Sequence, residues 1–287
     1  MEKSAKRGVL SWEQPYFLNI PMQTYLNAYW ESEDQVSFSY EQKGVSLTGV
    51  KSIAKNVLLS TTLRWTTTTL YNLKIEESAV DREHSPYSAA SISESFIWDR
   101  RDDPFNTSKG NFFSFVLERA YPLFGAKSDY IKSFIKYQHF IPLFSRVTFS
   151  ATSRIGWGGG KLAIPIHERF FAGGSNSFRG ERFDELGPKD PVSGNPIGGD
   201  ALFLLNFELT FPLISSIKDL SGALFYDKGN VFDMPKHFNF PALQDAVGFG
   251  ARYRTPLGPV RFEIGWNLSG PSERRRPIGF ITIGNVF

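Results

Sequence analysis

Residues near the carboxyl end of this 287-residue chain alternate between apolar and polar side chains with a strict period of two. In residues 260–268 all five apolar side chains fall on one face, opposite arginine, glutamate, glycine and asparagine. Successive side chains of a β-strand point to opposite faces, so one face of this strand meets an apolar medium. Residues 247–253 and 203–211 repeat the pattern. Soluble sandwiches also alternate but rarely oppose such large apolar rows to arginine and glutamate, so the pattern favours strands that contact lipid.

The same reading of the remaining chain predicts about thirteen strands and no helix. The predicted strands are 8–17, 22–32, 36–52, 56–71, 89–101, 110–121, 129–140, 146–157, 200–212, 218–228, 244–254, 259–268 and 277–287. Every second connection is short, and the connections between include the long ones, at 72–88, 158–199, 229–243 and 269–276. Short turns on one side and longer loops on the other are typical of transmembrane barrels. We therefore predict an all-β chain that forms a transmembrane antiparallel up-and-down β-barrel.

Composition agrees with this class and excludes others. No run of about 18 apolar residues occurs, so no transmembrane helix is expected. Barrel strands escape that test because only every second residue faces lipid. Aromatic residues make up 15% of the chain, including 27 phenylalanines, as barrel walls and interface girdles require. The absence of cysteine fits an exported protein, and a net charge of +3 is too small to indicate a nucleic-acid partner.

The amino end is charged and has no apolar signal segment, although a transmembrane barrel of this kind must be exported. An odd number of strands is also unusual, because single-chain bacterial barrels usually have an even number. We therefore expect residues 1–287 to be the carboxyl-terminal part of a longer protein.

The longest irregular segment, about 158–199, contains a glycine-rich stretch at 170–180 with one arginine. Arg179 keeps its charge and carries five donors, so inside a barrel it needs an acidic partner. Asp227 is the candidate, because its strand neighbours Leu224 and Tyr226 face lipid and Asp227 then faces the lumen. A turn aspartate is the alternative interpretation of Asp227. Gly180 allows the backbone to approach the wall closely.

Several patches resemble one family, the BamA and TamA outer-membrane assembly factors of the bacterial surface antigen type. Residues 169–190 resemble the long sixth outer loop of that family, and residues 225–232 resemble a later strand. Residues 253–262, with the closing 281–287, resemble the last three strands, and 99–104 is a weaker match. Family barrels have sixteen strands, five of them after the long loop. Five follow it here and eight precede it, so the resemblance implies that three amino-terminal strands and the periplasmic POTRA repeats are absent.

The resemblance also implies two groups of site residues. The first is a loop-lock motif of Phe178, Arg179, Gly180 and Asp227. The second is a carboxyl-terminal strand signal of Ile281, Ile283, Gly284 and Phe287. The chain departs from the family pattern at Glu181, where an aromatic residue is usual, and at Phe178, which replaces a branched aliphatic residue. Phe183 is then the candidate to supply the missing aromatic ring.

The implied function is insertion and folding of β-barrel proteins in the bacterial outer membrane, or assembly of a translocation apparatus. The implied partners are outer-membrane lipids, unfolded β-barrel client proteins and periplasmic accessory proteins. Two alternatives stay open: a two-partner secretion pore that exports one soluble protein, and a passive diffusion porin.

No enzymatic site is expected. The sequence contains no nucleophile elbow or phosphate-binding loop. The four histidines, His84, His139, His167 and His237, share no metal-binding spacing. We therefore expect no metal, no other cofactor and no catalysed reaction.

Overall fold

A computed structural model of the chain describes residues 5–16, 20–76, 86–104, 106–214, 216–255, 258–269 and 276–284. Across these ranges thirteen β-strands form one antiparallel sheet, in which each strand pairs with the next along the chain. The strands are β1 (Ala5–Gln14), β2 (Gln23–Asp34), β3 (Ser39–Ala54), β4 (Val57–Tyr71), β5 (Tyr87–Asp99), β6 (Gly110–Tyr121), β7 (Tyr130–Phe144), β8 (Val147–Gly160), β9 (Ala201–Pro212), β10 (Leu220–Phe232), β11 (Gln244–Tyr253), β12 (Val260–Asn267) and β13 (Ile278–Ile283).

The only helices in the described ranges are three-residue 3-10 turns: Ile166–Glu168, Pro235–His237 and Phe240–Ala242. None of these is long and apolar enough to cross a membrane. The predicted all-β, up-and-down architecture is confirmed, and every strand overlaps its predicted range with ends displaced by at most four residues. Five strands follow the long loop, as predicted. The sheet is not closed, because β1 and β13 do not pair with each other in the described residues.

The alternating side chains separate onto the two faces of the sheet. On β12, Phe262 and Ile264 are exposed on the outer face, whereas Arg261 and Glu263 on the inner face are buried. On β10, Leu224 is exposed while Phe225 and Asp227 are buried. The charged inner face is buried because other residues of the chain cover it, which reverses the usual arrangement of a soluble protein.

The long connection between β8 and β9 supplies that cover. Phe170, Ala172, Phe178 and Leu186 of this loop pack against Leu202, Leu204, Val231 and Ala246, which lie on β9, β10 and β11. Earlier in the loop, Ile166 packs with residues of the β2–β3 and β4–β5 connections and the start of β5, namely Phe38, Ile75 and Tyr87. One segment therefore contacts distant parts of the sheet, so the sheet must curve around it.

Backbone geometry in the loop depends on paired glycines. Gly173 and Gly174 have φ values of 119° and 90°, in a region that L-residues with side chains rarely adopt. A Cβ atom on Gly173 would also lie 2.2 Å from the carbonyl oxygen of Arg182. These two residues let the chain fold back sharply, which carries Arg179 to the wall.

Candidate functional site

Arg179 and Asp227 form a buried, bidentate ion pair between the loop and β10. The Nε and Nη2 groups of Arg179 donate to the two carboxylate oxygens of Asp227, at 2.9 and 2.7 Å. The backbone N–H of Arg179 donates to the same carboxylate at 2.9 Å. Both side chains are fully buried. Two parallel charge-assisted bonds fix orientation as well as position, so the loop tip is held in one geometry against the wall.

Two glutamates complete the surroundings of the guanidinium group. Nη1 of Arg179 donates to Glu208 on β9 at 2.7 Å and lies 3.5 Å from Glu263 on β12. Arg252 on β11 binds both of these glutamates, at 2.6 and 2.7 Å. We call Arg179, Asp227, Glu208, Glu263 and Arg252 the arginine network. It joins four consecutive strands to the loop, and every member except Arg252, whose side chain is 14% exposed, is fully buried.

The ring of Phe225 lies under the guanidinium group of Arg179, with the Cζ atom 3.5 Å from the ring centroid. This contact adds a cation–π attraction that is stronger in a site with little water. Burial lowers the pKa of Arg179, but Asp227, Glu208 and Glu263 raise it to a net value above the usual one. Arg179 is therefore charged, and these three carboxylates stabilise its charge in the buried site.

Polar side chains extend the contact on both sides of the arginine. Asn206 on β9 donates to the carbonyl oxygen of Ser177 at 2.6 Å and to Asp227 at 2.9 Å. Arg261 on β12 donates to Asn176 at 2.7 Å. The loop tip is thus hydrogen-bonded through its backbone and its side chains to three strands.

Phe178 and Gly180, the residues flanking the arginine, both lie in tight contacts. Phe178 is fully buried in the loop–wall apolar cluster. A Cβ atom on Gly180 would lie 2.5 Å from the Cβ of Ala246 and 3.1 Å from the Cα of Asn267. Only glycine fits there without displacing β11 or β12.

The expectation that Phe183 supplies the missing aromatic ring is wrong. Phe183 is 41% exposed, whereas Glu181 is buried in the position directly after Arg179-Gly180. Asn267 on β12 donates to the Glu181 carboxylate at 2.8 Å. A polar pair between loop and wall therefore occupies the position directly after Arg179-Gly180, and Phe183 is not buried against the wall.

The arginine network also bounds a cavity of about 710 Å³ on the short-turn side of the sheet. Glu208, Arg252 and Arg261 lie at its inner end, and the turns after β5, β7, β9 and β11 surround the rest. The loop therefore separates this cavity from the side of the long connections.

A second charged cluster, missed by the sequence analysis, holds the earlier part of the loop. Glu168 accepts from Arg64 on β4 at 3.3 Å and from Lys132 on β7 at 3.2 Å. Arg64 also pairs with Glu118 on β6. We call these four residues the Glu168 cluster. Strand alternation could have placed the three wall residues in the lumen, but no pattern in the sequence linked them to Glu168.

His167 and Glu168, at the Glu168 cluster, both have shifted pKa values. Burial lowers the pKa of His167 from 6.5 to about 4. Its ring packs between Tyr40 and Tyr87, with centroids 6.0 and 5.4 Å away. Burial would raise the pKa of Glu168, but Lys132 and Arg64 lower it to about 2. The docked loop therefore carries a neutral histidine next to an ionised glutamate.

We expect docking of the loop at the Glu168 cluster to weaken as the pH falls from 6.5 to about 4. The pKa of His167 is lower in the docked loop than in water. The contribution of neutral His167 to the free energy of docking is therefore complete above pH 6.5 and is lost as the pH falls toward about 4. The loss approaches about 3 kcal/mol, at about 1.4 kcal/mol per pKa unit. Protonation of Glu168 affects docking only at lower pH, because its pKa is shifted downward from the usual 4.5. Protease cleavage within residues 161–170 of the membrane-embedded protein, measured from pH 7.5 to 4, should rise over this window.

His167→Phe is the matched control for that measurement, because it keeps an aromatic ring between the tyrosines and removes the titrating group. Its cleavage should vary little with pH between 6.5 and 4. An unchanged pH profile in the variant would show that another group governs the loop.

The carboxyl-terminal residues lie at the edge of the sheet. Ile281 and Ile283 on β13 are both 73% exposed. Gly284 has a φ of 106°, and its N–H donates to the carbonyl oxygen of Pro259 at 2.9 Å. Phe287 lies outside the described residues, so its predicted position as the aromatic end of the strand signal stays a prediction.

The charged patch at 99–103 forms a structured turn between β5 and β6. Arg101 makes a bidentate pair with Asp99, at 2.9 and 2.7 Å. Asp102 accepts from the backbone N–H of Ser108 at 3.0 Å. Local hydrogen bonds occupy the side chains of Asp99, Arg101 and Asp102, so these residues act as an ion pair and a turn residue.

The curved sheet is apolar outside and charged inside, and a long loop is pinned into its interior by a buried arginine. These features define a transmembrane β-barrel protein with an inward-folded loop. Residues 2–285 match the Omp85 superfamily domain. The chain belongs to the Omp85 superfamily, and it is an outer-membrane protein.

Curated relatives agree with this family. The chain is 30% identical over 205 residues, or 69% of its length, to the outer membrane protein assembly factor BamA of Nitratidesulfovibrio vulgaris. It is 28% identical over 227 residues, or 74% of its length, to a SAM50-like protein of Schizosaccharomyces pombe. The matched region spans 26% of the first relative and 46% of the second, so the chain corresponds to less than half of either protein.

Solved structures show the same fold at low sequence identity. BamA from Haemophilus ducreyi lacking POTRA domains 1–3 superposes with a TM-score of 0.82 at 17% identity, over 97% of this chain and 60% of that one. CdiB from Acinetobacter baumannii superposes with a TM-score of 0.57 at 13% identity, over 97% of this chain and 49% of that one.

Proposed function

We propose that the protein containing this chain inserts and folds β-barrel proteins in the bacterial outer membrane, together with periplasmic accessory proteins. The observation that carries the proposal is the Omp85 domain across residues 2–285. The 30% identity to a BamA assembly factor supports this role within the family. The proposed activity is templating of strands, with no covalent chemistry.

The carboxyl-terminal edge of the sheet suits strand templating. In the described residues β13 pairs with β12 over six positions, whereas β2 and β3 pair over twelve. A short pairing opens at lower cost, and an open edge offers backbone donors and acceptors to an incoming strand. In this proposal β13 is the strand that exchanges partners, and Ile281 and Ile283 present apolar side chains to lipid while it does so.

The loop position argues against a passive diffusion porin. In such a porin the lumen holds a water-filled channel. Here the loop fills the lumen alongside β9–β12, and the arginine network joins the loop to this part of the wall through buried charges. We propose that the loop is a structural brace, which keeps the inner wall in one shape while the sheet edge exchanges strands.

Reconstitution of the intact protein into phospholipid vesicles tests the function. We expect vesicles containing the intact protein to accelerate folding of a urea-unfolded outer-membrane barrel protein. Folding is measured as the gain of protease resistance by that client protein. Vesicles with an unrelated diffusion porin at the same density are the control. Failure to accelerate folding, combined with export of a soluble partner protein, would support the two-partner secretion alternative instead.

Removal of Phe287 should impair assembly in cells more than stability in vitro. The family resemblance makes this residue the end of a recognition signal, so the cell's own assembly machinery should insert the deletion variant poorly. Refolding into detergent should stay nearly normal, because one terminal side chain contributes little to a large sheet. Equal loss in both measurements would mean that Phe287 has a structural role.

A further inference from the structure

The connection between β10 and β11, residues 233–243, lies on the outer face of the wall. On β9, Leu204 packs against the loop inside the lumen, so its neighbour Phe203 faces outward. Phe238 and Phe240 of the connection approach Phe203 from outside, with ring centroids 5.8 and 6.3 Å away. The connection therefore folds back over the lipid-facing side of the sheet.

Burial of outward side chains supports the same placement. Phe232 has the outward register of β10, yet it is only 7% exposed. The ring of Phe238 covers it at a centroid distance of 5.3 Å. Ala201, outward on β9, is buried together with Leu243 in the same cluster. The connection therefore covers these residues on the outer face.

The covered patch lies at the upper limit of the lipid-facing band, on the side of the long connections. The outward row on β9 runs from Phe203 to Phe211, about 27 Å along the strand at about 3.4 Å per residue. At the usual strand tilt this spans most of an apolar band of about 25 Å. Trp157 on β8 pairs with Ala201 and is exposed, while its neighbour Gly156 contacts Phe170 in the lumen. An outward tryptophan at this height is typical of the aromatic girdle where barrel meets headgroups.

The surface that the connection presents combines apolar side chains with the exposed cation of Lys236 and the exposed pair of His237 and Asp233, whose polar atoms lie 2.7 Å apart. Phe240 is 66% exposed, and Met234 is also exposed. Lys236, exposed between them in the sequence, is long enough to reach lipid phosphate groups. An exposed aromatic side chain is unfavourable in water, but at this height it is continuous with a wall that already contacts lipid.

We propose that residues 233–243 form a lipid-binding element, in which Phe240 and Met234 enter the acyl boundary and Lys236 meets the phosphates of the same leaflet. The occupant is phosphate-bearing lipid of the outer leaflet, because the element continues the lipid-facing surface on the side of the long connections and carries an exposed cation. This inference depends on the outer-membrane location of the barrel and is independent of the assembly function.

Site-directed spin labelling tests the proposal cleanly, because the chain has no cysteine. Phe240→Cys and, separately, Met234→Cys are introduced into the intact protein, labelled and reconstituted into phosphatidylethanolamine–phosphatidylglycerol vesicles. Accessibility to oxygen reports the apolar phase, and accessibility to a water-soluble nickel chelate reports the aqueous phase. Val192→Cys, on the exposed part of the long loop, is the control.

We expect the oxygen-to-nickel ratio at residues 240 and 234 to exceed that at residue 192 several-fold. Met234→Cys leaves the phenylalanine cluster intact, so it reports correctly even if Phe240→Cys loosens the connection. Nickel accessibility at both sites equal to that at Val192 would show that the connection extends into water and would overturn the proposal. Protection from both reagents would show that protein covers the surface, which also contradicts lipid binding.

Discussion

Replacing Arg179 with alanine, or Asp227 with alanine, should each destabilise docking of the loop by about 3–5 kcal/mol, because each change leaves a buried charge without its partner. The double variant should lose much less than the sum of the two, since the remaining charges are no longer mismatched. The cycle is measured by urea unfolding of the intact protein in lipid, with assembly activity followed in parallel. Additive losses would mean that the two residues do not act together.

The surroundings of this pair sharpen the expectation. When Arg179 is removed, Asp227 keeps the donor of Asn206, Glu208 keeps Arg252, and Glu263 keeps both Arg252 and Arg261. Arg179→Lys should therefore recover little stability, because an ammonium group cannot bind Asp227 bidentately and reach Glu208 at the same time.

The pair Arg7–Glu31, with 3.6 Å between its charged groups, is the matched control, because its arginine is 62% exposed. Exposed pairs contribute at most about 1 kcal/mol, so alanine at Arg7 should change little. A comparable loss at Arg7 would mean that the measured effect is not specific to the buried site.

Replacing Ile264 with arginine should destabilise the folded barrel by about 2–4 kcal/mol, the cost of a cation on the lipid face near the bilayer midplane. Ile264 is on the outer face of β12, opposite Phe249 of β11 in the register, whereas its neighbour Glu263 is buried within the arginine network. The free energy of unfolding in phospholipid vesicles, extrapolated from a urea titration, measures the change.

Val192→Arg is the control for that substitution, because Val192 is exposed in the long loop rather than on the wall. Its effect should be close to zero. Equal destabilisation at both positions would contradict the assignment of the outer face of β12 to lipid.

The wall of this protein follows directly from local sequence. Alternation with a period of two is a property of neighbouring residues, so it located thirteen strands and assigned Arg261 and Glu263 to the inner face before any contact was known. The pairing of Arg179 with Asp227 could be predicted from the sequence for two reasons. A glycine-rich loop with a single arginine needed an acidic partner, and the register of β10 directed one carboxylate inward.

Other contacts could not be inferred in that way. Phe183 was expected to replace the missing aromatic ring, but Glu181 is the buried residue there, and its partner Asn267 is 86 residues further along the chain. The Glu168 cluster joins β4, β6 and β7 to one loop residue, and the position of Glu168 depends on how the whole loop folds.

Sequence alone determined the strand content of this chain, the face of each strand and the need for a buried counter-charge, because each of these depends on side-chain chemistry at fixed spacing. Only the tertiary structure decided which carboxylates surround Arg179, how the Glu168 cluster anchors the loop and why residues 233–243 cover the outer wall. Those contacts arise between distant segments, and they exist only after the curvature of the sheet brings β4 and β12 to the same loop.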